Sequence, residues 1–309
     1  MLNVTVGPLQ LKNPIISASG CFGQATEAAP FVDLHRLGAL LLKTITLNPR
    51  AGNPPPRIVE LRDGILNSIG LPNKGIDRYL EETLPSLLGQ SDCLILNIAG
   101  ETLDQWPMIA ARVGDTAGID ALELNISCPN VESGGLPFAR DPEVVARIVA
   151  AVRCETPIPL ICKLAPESPD VAGIAQAAAD SGCCAVSLIN TIRAMAIDWR
   201  TRRPKLGYGY GGLSGPAIKP VALRLVHEVA RAVKIPVIGI GGIQDAEDVL
   251  EFLVAGASAV QVGTASFRDP TVMIRIIDEL PGLLEEQGIA SVGELIGSLN
   301  WPSRALPAD

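Results

Sequence analysis

The sequence predicts a (β/α)8 barrel: eight parallel strands closed into a cylinder, with helices outside. Three observations carry that reading. Eight short apolar segments recur along 309 residues, and stretches with helical spacing separate them. The segments are apolar at consecutive positions rather than alternate ones, the mark of strands buried on both faces in a parallel sheet. The length suits one barrel, and 48% apolar residues supply its core, so residues 1–309 are read as a single domain.

The elements follow in order. Val4-Thr5-Val6-Gly7-Pro8-Leu9-Gln10-Leu11 is two alternating runs about a Gly-Pro turn, read as a β-hairpin over the barrel floor. Ile15 to Ser19, Ala39 to Thr44, Leu94 to Ala99 and Ala121 to Ser127 are the first four expected strands. Leu160 to Ala165, Ala185 to Asn190, Val237 to Gly241 and Ala259 to Gly263 are the last four. Helical spacing fills Leu103 to Val113, Pro142 to Arg153, Val171 to Ser181, Pro220 to Val233 and Ala246 to Val254. Arg200 to Lys205 is the densest basic stretch, short and broken by Pro204, and reads as a solvated loop.

Composition excludes several classes. A formal net charge of −8 and the lack of a basic cluster argue against a nucleic-acid partner. No uncharged apolar run reaches membrane length, and Met1 to Gly7 has neither the basic nor the apolar part of a signal peptide, so the expectation is a cytoplasmic protein with no membrane contact. The seven cysteines show no metal-type pairing, and no metal is expected. Their odd number fits free thiols: Cys93 and Cys162 as core filler, and Cys183-Cys184 as packing rather than redox chemistry.

Barrel enzymes place their chemistry at the carboxyl ends of the strands. Those ends carry Ser19, Lys43-Thr44, Asn97, Asn125, Lys163, Asn190-Thr191, Gly241-Gly242 and Gly263-Thr264. One lysine or asparagine would merely cap a turn. Two lysines and three asparagines on one rim imply a polar ligand, since buried polar groups are costly without partners. The glycine turns after strands seven and eight match the recurrent phosphate site of this fold. Gly211-Gly212-Leu213-Ser214-Gly215 reads as a third amide-rich turn before a helix. A phosphate at one end and two lysines within the rim suit FMN, one per chain, with Lys163 as the cation beside the flavin N1–C2=O edge and Lys43 facing substrate as well as flavin. A non-redox phosphate-binding barrel, an isomerase or an aldolase forming a Schiff base on Lys163, stays open on these residues alone.

One run adds a reactive group. Asn125-Ile126-Ser127-Cys128-Pro129-Asn130 sets a thiol between two amides at a strand end, where a thiolate can act as base or nucleophile. Both histidines, His35 and His227, lie in helical patterns away from the rim.

That run resembles dihydroorotate dehydrogenase. So do Lys43-Thr44-Ile45-Thr46, Asn67-Ser68-Ile69-Gly70-Leu71-Pro72-Asn73, Asn190-Thr191, and Gly211 through Pro220, in the family's order and across nearly the whole chain. Cysteine at position 128 resembles the soluble class 1 enzymes. Ser133-Gly134-Gly135 and Gly-Gly-Leu-Ser-Gly-Pro-Ala-Ile-Lys-Pro resemble class 1B, whose catalytic subunits are NAD-linked. The resemblance implies oxidation of (S)-dihydroorotate to orotate in pyrimidine synthesis, with Cys128 taking the C5 proton while a hydride leaves C6 for flavin N5. Lys43, Asn67, Ser68, Ile69, Gly70, Leu71, Asn125, Asn130, Asn190 and Thr191 would hold the pyrimidine and its carboxylate. Ser19, Lys43, Thr44, Asn97, Asn125, Lys163, Ile189, Gly215, Gly241, Gly242, Gly263 and Thr264 would hold FMN. The stretch from Pro129 to Arg140 would be a lid. FAD and an iron–sulfur cluster are expected only on a partner subunit, in a homodimer or a heterotetramer. A fumarate-using class 1A enzyme and a dihydropyrimidine dehydrogenase-type enzyme are the alternatives within the resemblance.

Overall fold

The computed structural model describes residues 1–25, 27–126 and 138–302. Eight parallel strand positions form the barrel, in the order Ile15–Ser17, Ala259–Val262, Val237–Ile240, Ala185–Leu188, Leu160–Lys163, Ala121–Asn125, Leu94–Ala99 and Leu40–Leu41. A parallel bridge between Ile16 and Ala39 joins the two ends of this series, so the sheet closes. Every barrel strand is fully buried along its length, which explains why the sequence shows apolar runs instead of alternation.

Helices cover the outside. Gln105–Val113, Pro142–Glu155, Val171–Asp180, Lys219–Ala232 and Ala246–Ala255 stand where the spacing placed them, and Val272–Glu286 adds a sixth long helix. Their starts are chemically marked: the Asp141, Asp170 and Asp245 side chains each accept a backbone N–H of the first turn. The opening hairpin pairs Val4–Val6 with Leu9–Leu11. A Cβ on its turn residue Gly7 would lie 2.8 Å from Cys184 Cβ, just before strand Ala185–Leu188. The hairpin therefore packs at the amino ends of the strands, the floor.

Three expectations are corrected. The second strand is not continuous from Ala39 to Thr44; it breaks at Leu42 to Thr44 and resumes as Ile45–Thr46, both pieces pairing with Leu94–Ala99. Gly211 to Gly215 is not simply a turn, because Gly211–Ser214 is a strand held between Ile192–Ala194 and Gly64–Asn67. With Ile58–Leu61 these make a four-stranded antiparallel sheet. Arg200 to Lys205 is not all loop, since Arg203–Pro204 pairs with Ile197–Asp198. Cys93, Cys162 and Cys183 are buried, and all six described cysteines are unbridged. No helix among the described residues is long and apolar enough to cross a membrane.

Candidate active site

The carboxyl ends of the strands open into one cavity of about 980 Å³, with residues of the four-stranded sheet forming part of its wall. That volume is at the upper end for small-molecule sites, enough for a cofactor and a substrate together. Its walls bring together Ser19, Lys43, Thr44, Asn125, Lys163 and Ile189 from the barrel with Asn67 to Leu71 from the covering sheet and the turn that follows it. Asn190, Thr191, Gly215, Gly241, Gly242, Gly263 and Thr264 complete the expected set.

Asn97 is the exception. Its strand runs on to Ala99, so Asn97 stands two residues short of the end, fully buried and outside the cavity wall. Its Nδ2 donates to Glu123 at 2.6 Å. Cys128, Asn130 and the stretch from 129 to 137 lie outside the described residues; Arg140 does line the cavity. His35 and His227 do not.

At the centre, Lys163 closes the strand Leu160–Lys163, opposite Asn125 in register, with a side chain only 7% exposed. Its Nζ lies 3.6 Å from Glu123 Oε1. Asn190 is oriented from both sides: its Oδ1 accepts the Thr191 N–H at 2.8 Å, and its Nδ2 donates to Asn125 Oδ1 at 3.2 Å. Across the cavity, Asn67 Nδ2 donates to Gly212 O at 3.3 Å. The turn after it is stapled by Asn73, whose amide bonds Thr46 Oγ1 and Leu71 O, both at 2.8 Å, while its Oδ1 accepts the Gly75 N–H at 2.8 Å. Gly70 and Leu71 both have positive φ, 78° and 53°, so this turn presents backbone rather than bulk.

Lys43 stands in the break of the second strand, half-buried and without a salt-bridge partner among the described residues. Burial first, then the nearby Arg57 charge, hold its pKa below the ordinary lysine value, with Glu27 pulling the other way. Ser19 and Thr44 hydroxyls pair at 3.1 Å. At the glycine end, Thr264 Oγ1 donates to Ser214 Oγ at 2.8 Å. The nearby Lys219 is turned away, paired to Asp248 and to Glu251 at 2.8 Å, which leaves backbone groups as the donors of these turns.

Among the cavity residues that the sequence did not single out are Cys21 and Gln261. Cys21 lines the wall, but burial pushes its thiol up to about 11, against the pull of Lys163, so it is no ready base. Gln261 also lines the wall, and its amide is held by Glu123, 2.5 Å away. Gln261 and Glu123 were legible in principle, as polar breaks within apolar runs, and Glu123 shares strand parity with Asn125.

The profile of the family described as dihydroorotate dehydrogenase matches residues 1–284. The chain is 50% identical over 298 residues to the catalytic subunit of dihydroorotate dehydrogenase B (NAD(+)) of Geobacter sp. (strain M21), covering 96% of this chain and 98% of that one. The similarly named subunit of Bacillus pumilus (strain SAFR-032) is 49% identical over 306 residues, 99% and 98% of the two chains. That of Listeria monocytogenes serotype 4a (strain HCC23) is 48% identical over 294 residues, 95% and 97%. This chain belongs to the dihydroorotate dehydrogenase family.

Proposed function

We propose that this chain oxidises (S)-dihydroorotate to orotate at a bound FMN, in de novo pyrimidine synthesis, and that electrons leave for NAD through a partner subunit. The observation that carries this reading is one cavity holding Lys43, the Asn67, Asn125 and Asn190 amides, Lys163 and three glycine turns together. The chain's family is that of a dehydrogenase rather than a non-redox barrel, and the relatives are named for NAD(+) rather than fumarate.

The residues fit FMN. Ser68 Oγ and Gln261 Oε1 are buried at the cavity without hydrogen-bond partners, as groups awaiting a polar ligand are. The glycine turns at 215, 241–242 and 263–264 offer backbone amides for a phosphate, and Lys163 offers the charge for a ring edge. When bound, the flavin supplies a two-electron acceptor for hydride. Lys43 and the asparagines orient the substrate carboxylate and pyrimidine edges, each amide donating and accepting in one plane. Cys128, three residues past Asn125 in the chain, takes the C5 proton, and Asn130 joins the amide set. Asn97 donates its Nδ2 to Glu123, and its Oδ1 is buried without a partner.

The relatives' description as catalytic subunits implies a partner subunit, which we assign FAD and an iron–sulfur cluster, in a heterotetramer about a homodimer of this chain. A cytoplasmic location fits the lack of a membrane-spanning helix among the described residues. The test is to release and identify the flavin, then offer acceptors to the substrate-reduced chain. We expect FMN and no reoxidation by fumarate; rapid turnover with fumarate would move the chain to the class 1A reading.

The Lys43 environment makes a further prediction. An anion beside Lys43 binds its protonated form, and burial together with Arg57 brings deprotonation below the free value of about 10.4. Orotate affinity, measured by flavin absorbance, is expected to fall with rising pH before that point is reached. Lys43→Met should lose both the affinity and this pH dependence.

A further inference from the structure

Glu123 is fully buried inside the barrel, on the strand Ala121–Asn125. Its carboxylate accepts from Asn97 Nδ2 at 2.6 Å, Ser187 Oγ at 2.8 Å and Gln261 Nε2 at 2.5 Å, and Lys163 Nζ lies 3.6 Å away. These four groups come from four other strands. Branched apolar layers are the usual filling of such a barrel, and a buried ion pair is weak evidence for stability, because well-packed apolar residues serve that purpose equally well. The cluster has a direction instead. Lys163 and Gln261 line the cavity, whereas Glu123, Asn97 and Ser187 do not. The carboxylate therefore stands directly behind the two groups that face the ligand. Because Nε2 of Gln261 is committed to Glu123, its Oε1 is left without a partner.

We propose that Glu123 is a positioning residue for the flavin: it fixes the Lys163 ammonium and the Gln261 amide against the ring, and its charge, opposing that of Lys163, sets the reduction potential. This rests on the flavin reading above. Hydride arrival places negative charge on the ring, and a cation at the ring edge stabilises that charge. An anion 3.6 Å behind the cation opposes the effect. The amides of Asn97 and Gln261 and the Ser187 hydroxyl spread the carboxylate charge and keep it in place.

Glu123→Gln keeps the size and hydrogen-bonding capacity of the side chain and removes the charge. In flavin-loaded protein we expect a higher midpoint potential. A tenfold gain in the reduced-to-oxidised ratio corresponds to about 30 mV for two electrons. Ser187→Ala, which deprives the carboxylate of one donor, should move the potential the opposite way. Opposite signs are the signature, since general damage to the barrel would not produce them. A potential that is unchanged or lower in Glu123→Gln, or higher in Ser187→Ala, overturns the proposal.

A second readout needs no flavin. In the flavin-free protein Lys163→Met should lower the thermal midpoint by stranding the carboxylate, and adding Glu123→Gln should recover most of the loss. Simple additivity of the two changes would refute the pairing. A chain that never binds flavin refutes the potential-setting role together with the flavin reading, while this cycle still decides whether Glu123 holds Lys163.

Discussion

Cys128→Ala is expected to reduce its flavin with dihydroorotate 10² to 10⁴ times more slowly than the parent chain, the usual range for losing a positioned general base. Binding of flavin and orotate should survive, because the amides and lysines that line the cavity are untouched. No described alternative takes over the proton. The two histidines lie away from the cavity, and Cys21 titrates only at about 11. The thiolate is the active form and a free cysteine has a pKa of about 8.5, so reduction in the parent chain should quicken with rising pH until Cys128 is ionised. Stopped-flow reduction across pH measures both effects. A Cys128→Ala variant reduced at the parent rate would remove the thiol from the mechanism.

Lys163→Ala should have the second largest effect, on two properties for two reasons. Losing the charge at the ring edge is expected to slow reduction by 10² to 10³, about 3 kcal/mol by comparison with other oxyanion-type donors. The same change leaves Glu123 buried with no cation, and breaking a buried pair from one side costs about 3–5 kcal/mol of stability. Denaturant unfolding and rapid-mixing kinetics separate the two. A variant that kept its reduction rate while losing stability would make Lys163 structural only.

The barrel was legible because its signal is redundant: a fully buried apolar run followed by a helix-spaced segment recurs along the chain. The covering sheet was not. Its inner strand Gly211–Ser214, one of two, begins with two glycines, which local propensity reads as turn; it is extended because Gly64–Asn67 and Ile192–Ala194 pair with it from either side. Gly212 has a further reason to be glycine, since a Cβ there would lie 2.0 Å from Thr191 Oγ1. Tertiary pairing of that kind leaves no mark on neighbours in sequence.

The candidate site divides in the same way. Lys43, Lys163, Asn125 and Asn190 line the cavity, and each is legible because it closes an apolar run. Asn97 sits two residues inside the strand Leu94–Ala99, where its Nδ2 donates to Glu123 and its Oδ1 is buried without a partner. Glu123 is harder to read because it lies inside the strand Ala121–Asn125 rather than at its end. An ionisable side chain at the centre of a fully buried strand, on the same face as Asn125, was the available signal.

The most direct test is an anaerobic titration of the flavin-loaded chain with dihydroorotate, following the visible flavin band and the appearance of orotate. The account predicts stoichiometric bleaching with one orotate formed per flavin. A flavin that stays oxidised in the presence of excess dihydroorotate, or a chain that carries no flavin, would contradict it.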